Sequence, residues 1–240
     1  MGTSYNPRIV TDGLVFCVDA ANKRSYPGAG TTWTDLTANK NNGTFQNMDS
    51  SNFDTGNGGS LTFDGISDYV NCGPTNDIIG NNPAAVSLSA WFKTDNNTQG
   101  FYIASLKRLS TFSTLVSIVI NQQSSGSLVP NYLGFLFDAG SSHQWVTVNN
   151  STFYGKWNQI TATIDVNVAI LYLNGIQVKQ DTTNTFAGPS RNDPSAPFTI
   201  GTFGTSLFAD ANISQVHVYN RVLSANEVQQ NYLATKGRYQ

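Results

Sequence analysis

From residue 14 to residue 219 the chain is cut into short runs of β-branched and aromatic residues, each bounded by clusters of Gly, Asn, Asp and Ser. That rhythm excludes a bundle of long helices and points to a sandwich or barrel of short strands. It predicts strands over 14–19, 60–63, 69–71, 86–93, 101–106, 115–121, 132–138, 144–149, 157–165, 168–173, 176–181, 198–202 and 213–219. Side chains alternate between faces along a strand, so Val86, Leu88, Ala90 and Phe92 form a core face and Ser87, Ser89, Trp91 and Lys93 a half-wet one. Ile160, Ala162 and Ile164 oppose Thr161 and Thr163 in the same way. Between two such runs stands Asn174-Gly175, the pair that tolerates the two positive φ angles of a type I′ hairpin.

One helix is well specified, near the C-terminus. Ser224 is its N-cap, Glu227 three residues on completes a capping box, and Leu223 and Val228 occupy the positions of a hydrophobic staple. Lys236 and Gly237 supply a cationic last turn and a stop. Val228 and Tyr232 share a stripe, so the helix is expected to pack on the sandwich.

No repeat or linker divides the 240 residues. The expectation is one domain over 1–240, its core at about 10–236, with 47–59 and 184–197 as long polar excursions. Fourteen Phe, ten Tyr and four Trp are enough for one large core. Charged residues are only 12%, against about 25% in ordinary soluble proteins, and Asn, Thr, Ser and Gly take their place. A net charge of −2 leaves no basic stripe for a phosphate backbone, so nucleic acid is not an expected partner. The chain has no apolar run of about 18 residues, and residues 1–10 lack the apolar segment of a secretory signal, so a protein that stays out of the membrane and is made in a cytoplasm is expected. Cys17 and Cys72 stand without a metal-binding pattern; two buried thiols are the simpler reading, and a disulfide is left open.

Several ordered motifs resemble the laminin-G-like jelly rolls of the concanavalin A-like lectin/glucanase superfamily. They begin with Asp12-Gly13-Leu14-Val15-Phe16, then Trp33-Thr34-Asp35-Leu36 and Asn42-Gly43-Thr44. They continue with Phe63-Asp64-Gly65-Ile66-Ser67-Asp68-Tyr69-Val70, Leu88-Ser89-Ala90-Trp91-Phe92 and Trp157-Asn158-Gln159-Ile160. They end with Leu171-Tyr172-Leu173-Asn174-Gly175, Phe198-Thr199-Ile200-Gly201 and the stretch from Ile213 through Tyr219 to Ser224 and Glu227. The resemblance implies an all-β fold: a two-sheet antiparallel jelly-roll β-sandwich with one short C-terminal α-helix. The segments around Lys23-Arg24-Ser25-Tyr26 and Asn231-Tyr232-Leu233 further resemble tailed, particularly marine, bacteriophage virion proteins. One departure is Thr37-Ala38-Asn39-Lys40-Asn41, where the family often carries a more glycine-rich loop.

The superfamily includes glycoside hydrolases, whose mechanism needs two carboxyl groups flanking the scissile bond. Its hydrolases are expected to place two Glu on one strand, and this chain has a single Glu among 15 acidic residues, already engaged in the capping box. Asp64 and Asp68 read as turn residues, and no Gly-x-Ser-x-Gly elbow accompanies His143 or His217. A non-enzyme is therefore expected, with no required cofactor. Superfamily members often hold Ca²⁺ at the sandwich rim; Asp64, Asp68 and Asp210 are candidate donors, with no ligand set fixed. Sugar sites want an exposed aromatic platform with amides nearby. Trp33, Trp91, His143 and Trp145 are the candidate ligand-binding residues, with burial under loops or the C-terminal helix as the alternative for each tryptophan. The leading expectation is a virion structural protein, a capsid decoration or fibre component, assembled in a host cytoplasm. Its expected partners are other virion subunits, a second copy of itself in a homo-oligomer, and a cell-surface glycan. The alternative is a carbohydrate-binding module of a secreted or surface assembly.

Overall fold

The computed structural model describes residues 7–80, 83–107, 114–122, 128–138, 143–183, 196–204 and 206–239. The polar excursion expected at 184–197 lies almost wholly outside these residues.

Two antiparallel sheets face each other, as the resemblance implied. The first contains, in spatial order, β14 (Ile176–Asp181), β13 (Ala169–Leu173), β12 (Asn158–Asp165), β7 (Ala85–Lys93), β16 (Asp210–Tyr219), β5 (Ser60–Asp64) and β4 (Phe53–Asp54), with β1 (Leu14–Asp19) also paired to β16. The second runs β11 (His143–Asn149), β10 (Leu128–Asp138), β9 (Thr114–Gln122), β8 (Phe101–Lys107), β15 (Pro197–Ile200), β6 (Tyr69–Pro74), β3 (Gly43–Gln46) and β2 (Thr32–Trp33). A five-residue helix, α1 (Thr75–Ile79), follows β6, and α2 (Ala225–Thr235) follows β16.

The inward residues of both sheets form one continuous core. Val86, Leu88, Ala90 and Phe92 of β7 meet Phe16, Phe101, Phe135, Phe137, Ile160 and Phe198 there, all at most 1% exposed. Each fully buried large apolar side chain contributes about 1.5–3 kcal/mol relative to exposure, so the core needs no covalent staple. Cys17 and Cys72 are buried and free, which settles the choice between thiols and a disulfide. Burial, helped by the nearby carboxylates of Asp19 and Asp35, pushes the Cys17 thiol up to about 12. Burial and then Asp35 raise Cys72 as well, so neither is a reactive thiolate.

Where the family carries its glycine-rich loop, Asp35 organises the chain instead. Its buried carboxylate accepts from the backbone N–H groups of Cys17, Thr37 and Asn41, each at 3.0 Å, and from the Thr37 hydroxyl at 2.8 Å. The loop thereby caps the free edge of β1, with Leu36 N–H donating to the Cys17 carbonyl at 2.8 Å. An edge strand covered this way cannot recruit another strand.

The Asn174-Gly175 hairpin has φ of 53° and 78°, the left-handed pair that a type I′ turn requires. The Ser224 capping box is also present: Glu227 N–H donates to Ser224 Oγ and the Glu227 carboxylate accepts from Ser224 N–H. Leu223 and Val228 share a small cluster with Val10, Tyr172 and Tyr219. The α-helix ends where Lys236 and Gly237 were expected to stop it, with Lys236 as C-cap, but Gly237 does not take a left-handed φ. The chain instead tightens into a 3₁₀ turn over Lys236–Arg238 that carries Tyr239 back onto the first sheet.

Candidate carbohydrate-binding cleft

The outward residues of β7 lie in one row, and the C-terminal segment treats them unequally. Ser87 Oγ donates to the Arg221 carbonyl at 2.7 Å and accepts from Leu223 N–H at 2.9 Å. Ser89 Oγ shares a 2.8 Å hydrogen bond with Thr161 Oγ1. Trp91 donates from its indole nitrogen to Thr235 Oγ1 at 2.8 Å and lies between Tyr232 and Tyr239, with ring centroids at 5.7 and 4.0 Å. All three are at most 2% exposed, so this face is roofed where the alternation predicted it half wet. The roof is pinned at several points. Asn231 accepts from Val10 N–H at 2.7 Å and donates to the Tyr219 hydroxyl at 3.0 Å, while Arg238 pairs with Asp19 at 3.0 Å.

Two residues beyond Trp91 the roof ends. Lys93 opens onto a cleft of about 480 Å³ whose walls are residues 93–98 and 210–212, with Thr62 in its floor. Antiparallel register sets Lys93 opposite Asn212, and Asn212 opposite Thr62. The cleft's shape is held by hydrogen bonds among its own wall residues. Thr94 Oγ1 donates to the Asp210 carbonyl at 2.7 Å, Asn96 Nδ2 to the Asp210 carboxylate at 2.8 Å, and Asn212 Nδ2 to Thr62 Oγ1 at 2.8 Å. From behind, Asn121 Nδ2 donates to the Asn96 carbonyl at 2.9 Å. Among the described residues the Lys93 ammonium, the Asp95 carboxylate and the Asn97 amide have no hydrogen-bond or ion-pair partner. The cleft therefore presents mixed donors and acceptors on a fixed frame.

An aromatic ladder stands beside Lys93, outside the residues that line the cleft. Trp157 directly precedes Asn158, which pairs with Phe92, and Gly155 N–H donates to the Thr94 carbonyl at 2.9 Å; together these set Trp157 beside Lys93. Trp157 is half-buried, its indole N–H donates to Asn57 Oδ1 at 3.0 Å, and its ring lies 5.0 Å from Tyr239, which in turn covers Trp91.

The residues expected to bind ligand are not brought together. Trp33 is fully buried in the core on β2, a strand that the sequence did not predict, and Trp91 is sealed beneath Tyr232 and Tyr239. Neither can be a platform, because the two rings are at most 2% exposed. His143 and Trp145 lie on the edge strand β11, far along the other sheet. His143 is exposed, while Trp145 packs partly against Tyr102, Val119, Leu136 and Phe203. The signal for the cleft was present in Thr94-Asp95-Asn96-Asn97-Thr98, a dense run of side-chain amides and oxygens directly after a core strand.

The rim aspartates serve turns and walls. Asp64 Oδ1 accepts from the N–H groups of Ile66, Ser67 and Asp68 at 2.8, 2.9 and 3.1 Å. Burial works to raise this carboxyl, but those three donors outweigh it and hold it below its ordinary range. Asp68 is raised by burial and by the Asp64 charge, and accepts from Asn52 Nδ2 at 2.8 Å. Among the described residues no three His, Cys, Asp or Glu side chains are grouped to hold a metal ion. Glu227 is gripped by Arg221 through two hydrogen bonds of 3.0 and 2.7 Å. That guanidinium, with Ser224 assisting against a small burial effect, lowers the Glu227 carboxyl to about 2. A carboxyl held ionised in this way cannot deliver a proton as a general acid. No described helix is long and apolar enough to cross a membrane.

Comparison with known proteins agrees with this fold. The sequence profile of Laminin_G_3, in the concanavalin A-like lectin/glucanases superfamily, matches residues 63–229. No curated protein matches the chain. Trypanosoma rangeli sialidase in complex with the inhibitor DANA superposes with a TM-score of 0.70 at 14% identity, over 99% of this chain and 36% of that one. The botulinum neurotoxin type G receptor binding domain superposes with a TM-score of 0.60 at 15% identity, over 92% of this chain and 51% of that one. The chain thus spans between about a third and a half of these solved proteins. At such identities the likeness is one of fold.

Proposed function

The chain belongs to the concanavalin A-like lectin/glucanase superfamily, and from that premise we propose that it is a non-catalytic carbohydrate-binding module. The observation that carries this reading is the cleft beyond Trp91. It is a preformed polar cavity of about 480 Å³ whose Lys93, Asp95 and Asn97 side chains are unpaired among the described residues. A sugar hydroxyl both donates and accepts, so vicinal hydroxyls satisfy an ammonium, a carboxylate and an amide together. Both sialidase and toxin neighbours carry this fold inside larger proteins, one described as complexed with a sialidase inhibitor and the other as a receptor-binding domain. These support a role in attachment for the module.

Absence of catalysis is part of the proposal. The sole glutamate is held by Arg221 and Ser224 outside the cleft, and the Asp210 carboxylate is engaged by Asn96 at 2.8 Å as part of the cleft wall. A glycan array followed by calorimetry on the retained class tests the reading. Wild type binds, Asn212→Ala and Asp95→Ala each weaken binding by roughly tenfold with unchanged melting temperature, and incubation releases no reducing ends. Failure to retain any glycan, or turnover of the bound one, contradicts it.

We further propose, from the resemblance of the segments around Lys23 and Asn231 to tailed-phage proteins, that the module acts on a virion as a decoration or fibre component. Mass spectrometry of purified particles tests that setting, with stoichiometric copies expected and absence contradicting it.

A further inference from the structure

We infer that the cleft takes a neutral oligosaccharide of at least two units, one hydrogen-bonded over Lys93 and Asn212 and the next stacked on Trp157; this rests on the carbohydrate-binding reading above. The charge argument comes first. The cleft sets one lysine, Lys93, against two aspartates, Asp95 and Asp210. An acidic sugar entering it gains one cation and meets two like charges in a confined space. Like charge at short range is a discriminating element, so the cleft rejects uronic and sialic acids and accepts neutral sugars.

The second unit follows from Trp157. Its ring is immobilised from two sides: Asn57 Oδ1 takes the indole N–H at 3.0 Å, and Tyr239 abuts the ring at 5.0 Å. Asn57 also donates to the Arg238 carbonyl at 2.9 Å, which ties the ring to the C-terminal turn. Tyr239 is fixed in turn by its hydroxyl, which donates to Ser214 Oγ at 2.8 Å, and by its stack on Trp91. A half-buried tryptophan held this rigidly presents an apolar surface at little entropic cost, which is what a sugar's C–H face requires. It stands opposite Lys93 in the antiparallel register, on the same outward face and just outside the cleft's own lining. Of the two tryptophans in the ladder, Trp91 is sealed and Trp157 is the partly exposed one, so Trp157 is the ring left for a sugar unit that extends past Lys93.

The test is calorimetry of the full chain with glucose, galactose and mannose, with cello-, laminari-, malto- and mannotetraose, and with tetragalacturonic acid. The expected result is that at least one neutral tetrasaccharide binds roughly tenfold more tightly than its monosaccharide, and that tetragalacturonic acid binds more weakly than the neutral series. In Trp157→Ala the gain from chain length disappears while monosaccharide affinity stays; Trp157→Phe keeps part of the gain and guards against a folding defect, checked by melting temperature. If the length gain survives in Trp157→Ala, the second unit lies elsewhere. If tetragalacturonic acid binds as well as the neutral sugars, the charge argument is overturned. In both of those outcomes a sugar still binds and Asn212→Ala still weakens it, so the carbohydrate-binding reading stands; no binding by any probe removes both.

Discussion

Trp91 and Lys93 are two residues apart on one strand and point to the same side, yet one is 2% exposed under a roof and the other opens onto a solvent cleft. The difference is made by residues 225–239. Ser87 is met by Arg221 and Leu223 and Ser89 by Thr161 of the neighbouring strand, and it is this segment, through Thr235, Tyr232 and Tyr239, that closes Trp91. Where it ends, the same pleat exposes polar ends without partners. Strand parity therefore decides which sheet face a side chain joins, and a segment distant in sequence decides whether that face is core or site.

The contrast can be broken most severely at Trp91. Trp91→Ala removes a buried ring stacked on Tyr232 and Tyr239 and is expected to cost about 3–5 kcal/mol of stability, read as a large drop in the denaturation midpoint. A loss near that of an exposed substitution would mean that the roof contributes little.

Acid should loosen the same region. His217 lies under the roof, paired in register with Ser89 and Cys17. Burial, and then the Arg238 charge, pull its imidazole from 6.5 down to about 4. A folded value below the unfolded one means that its contribution is fully present above about pH 6.5 and is lost as pH falls through 4, on the order of 3 kcal/mol in all. Thermal unfolding between pH 7.5 and 4 should show this extra loss in wild type and not in His217→Asn. Parallel curves would contradict it.

Smaller again is the cap. Ser224→Ala is expected to cost about 1 kcal/mol, since the helix loses one N-terminal acceptor but keeps Val228 in its cluster. Smallest of all, Lys93→Ala should change stability by less than about 0.5 kcal/mol while weakening sugar binding. That pairing, a large stability cost at 91 and almost none at 93, is the sharpest form of the comparison.

Much of the sandwich was legible because long strands bury one face and leave a period of two. The run at 86–93 and the hairpin at Asn174-Gly175 are examples in which local pattern and tertiary outcome agree. Strands β2, β3 and β4 were missed: they span two to four residues within Gly- and Asn-rich sequence, so turn chemistry masks their pairing. The site was less legible still. Trp91 is closed by a hydrogen bond to a residue 144 positions away, and no local pattern carries that contact. Trp157 read as the first residue of a strand, and only its contacts with Asn57 and Tyr239 mark it as a fixed ring beside Lys93.

A crystal structure of the chain with a glycan it retains would place the sugar directly. It is expected on the outer face of the first sheet, over Lys93 and Asn212 and against Trp157, with Trp91 still covered by Tyr239. A sugar on the opposite sheet, at His143 and Trp145, would contradict it.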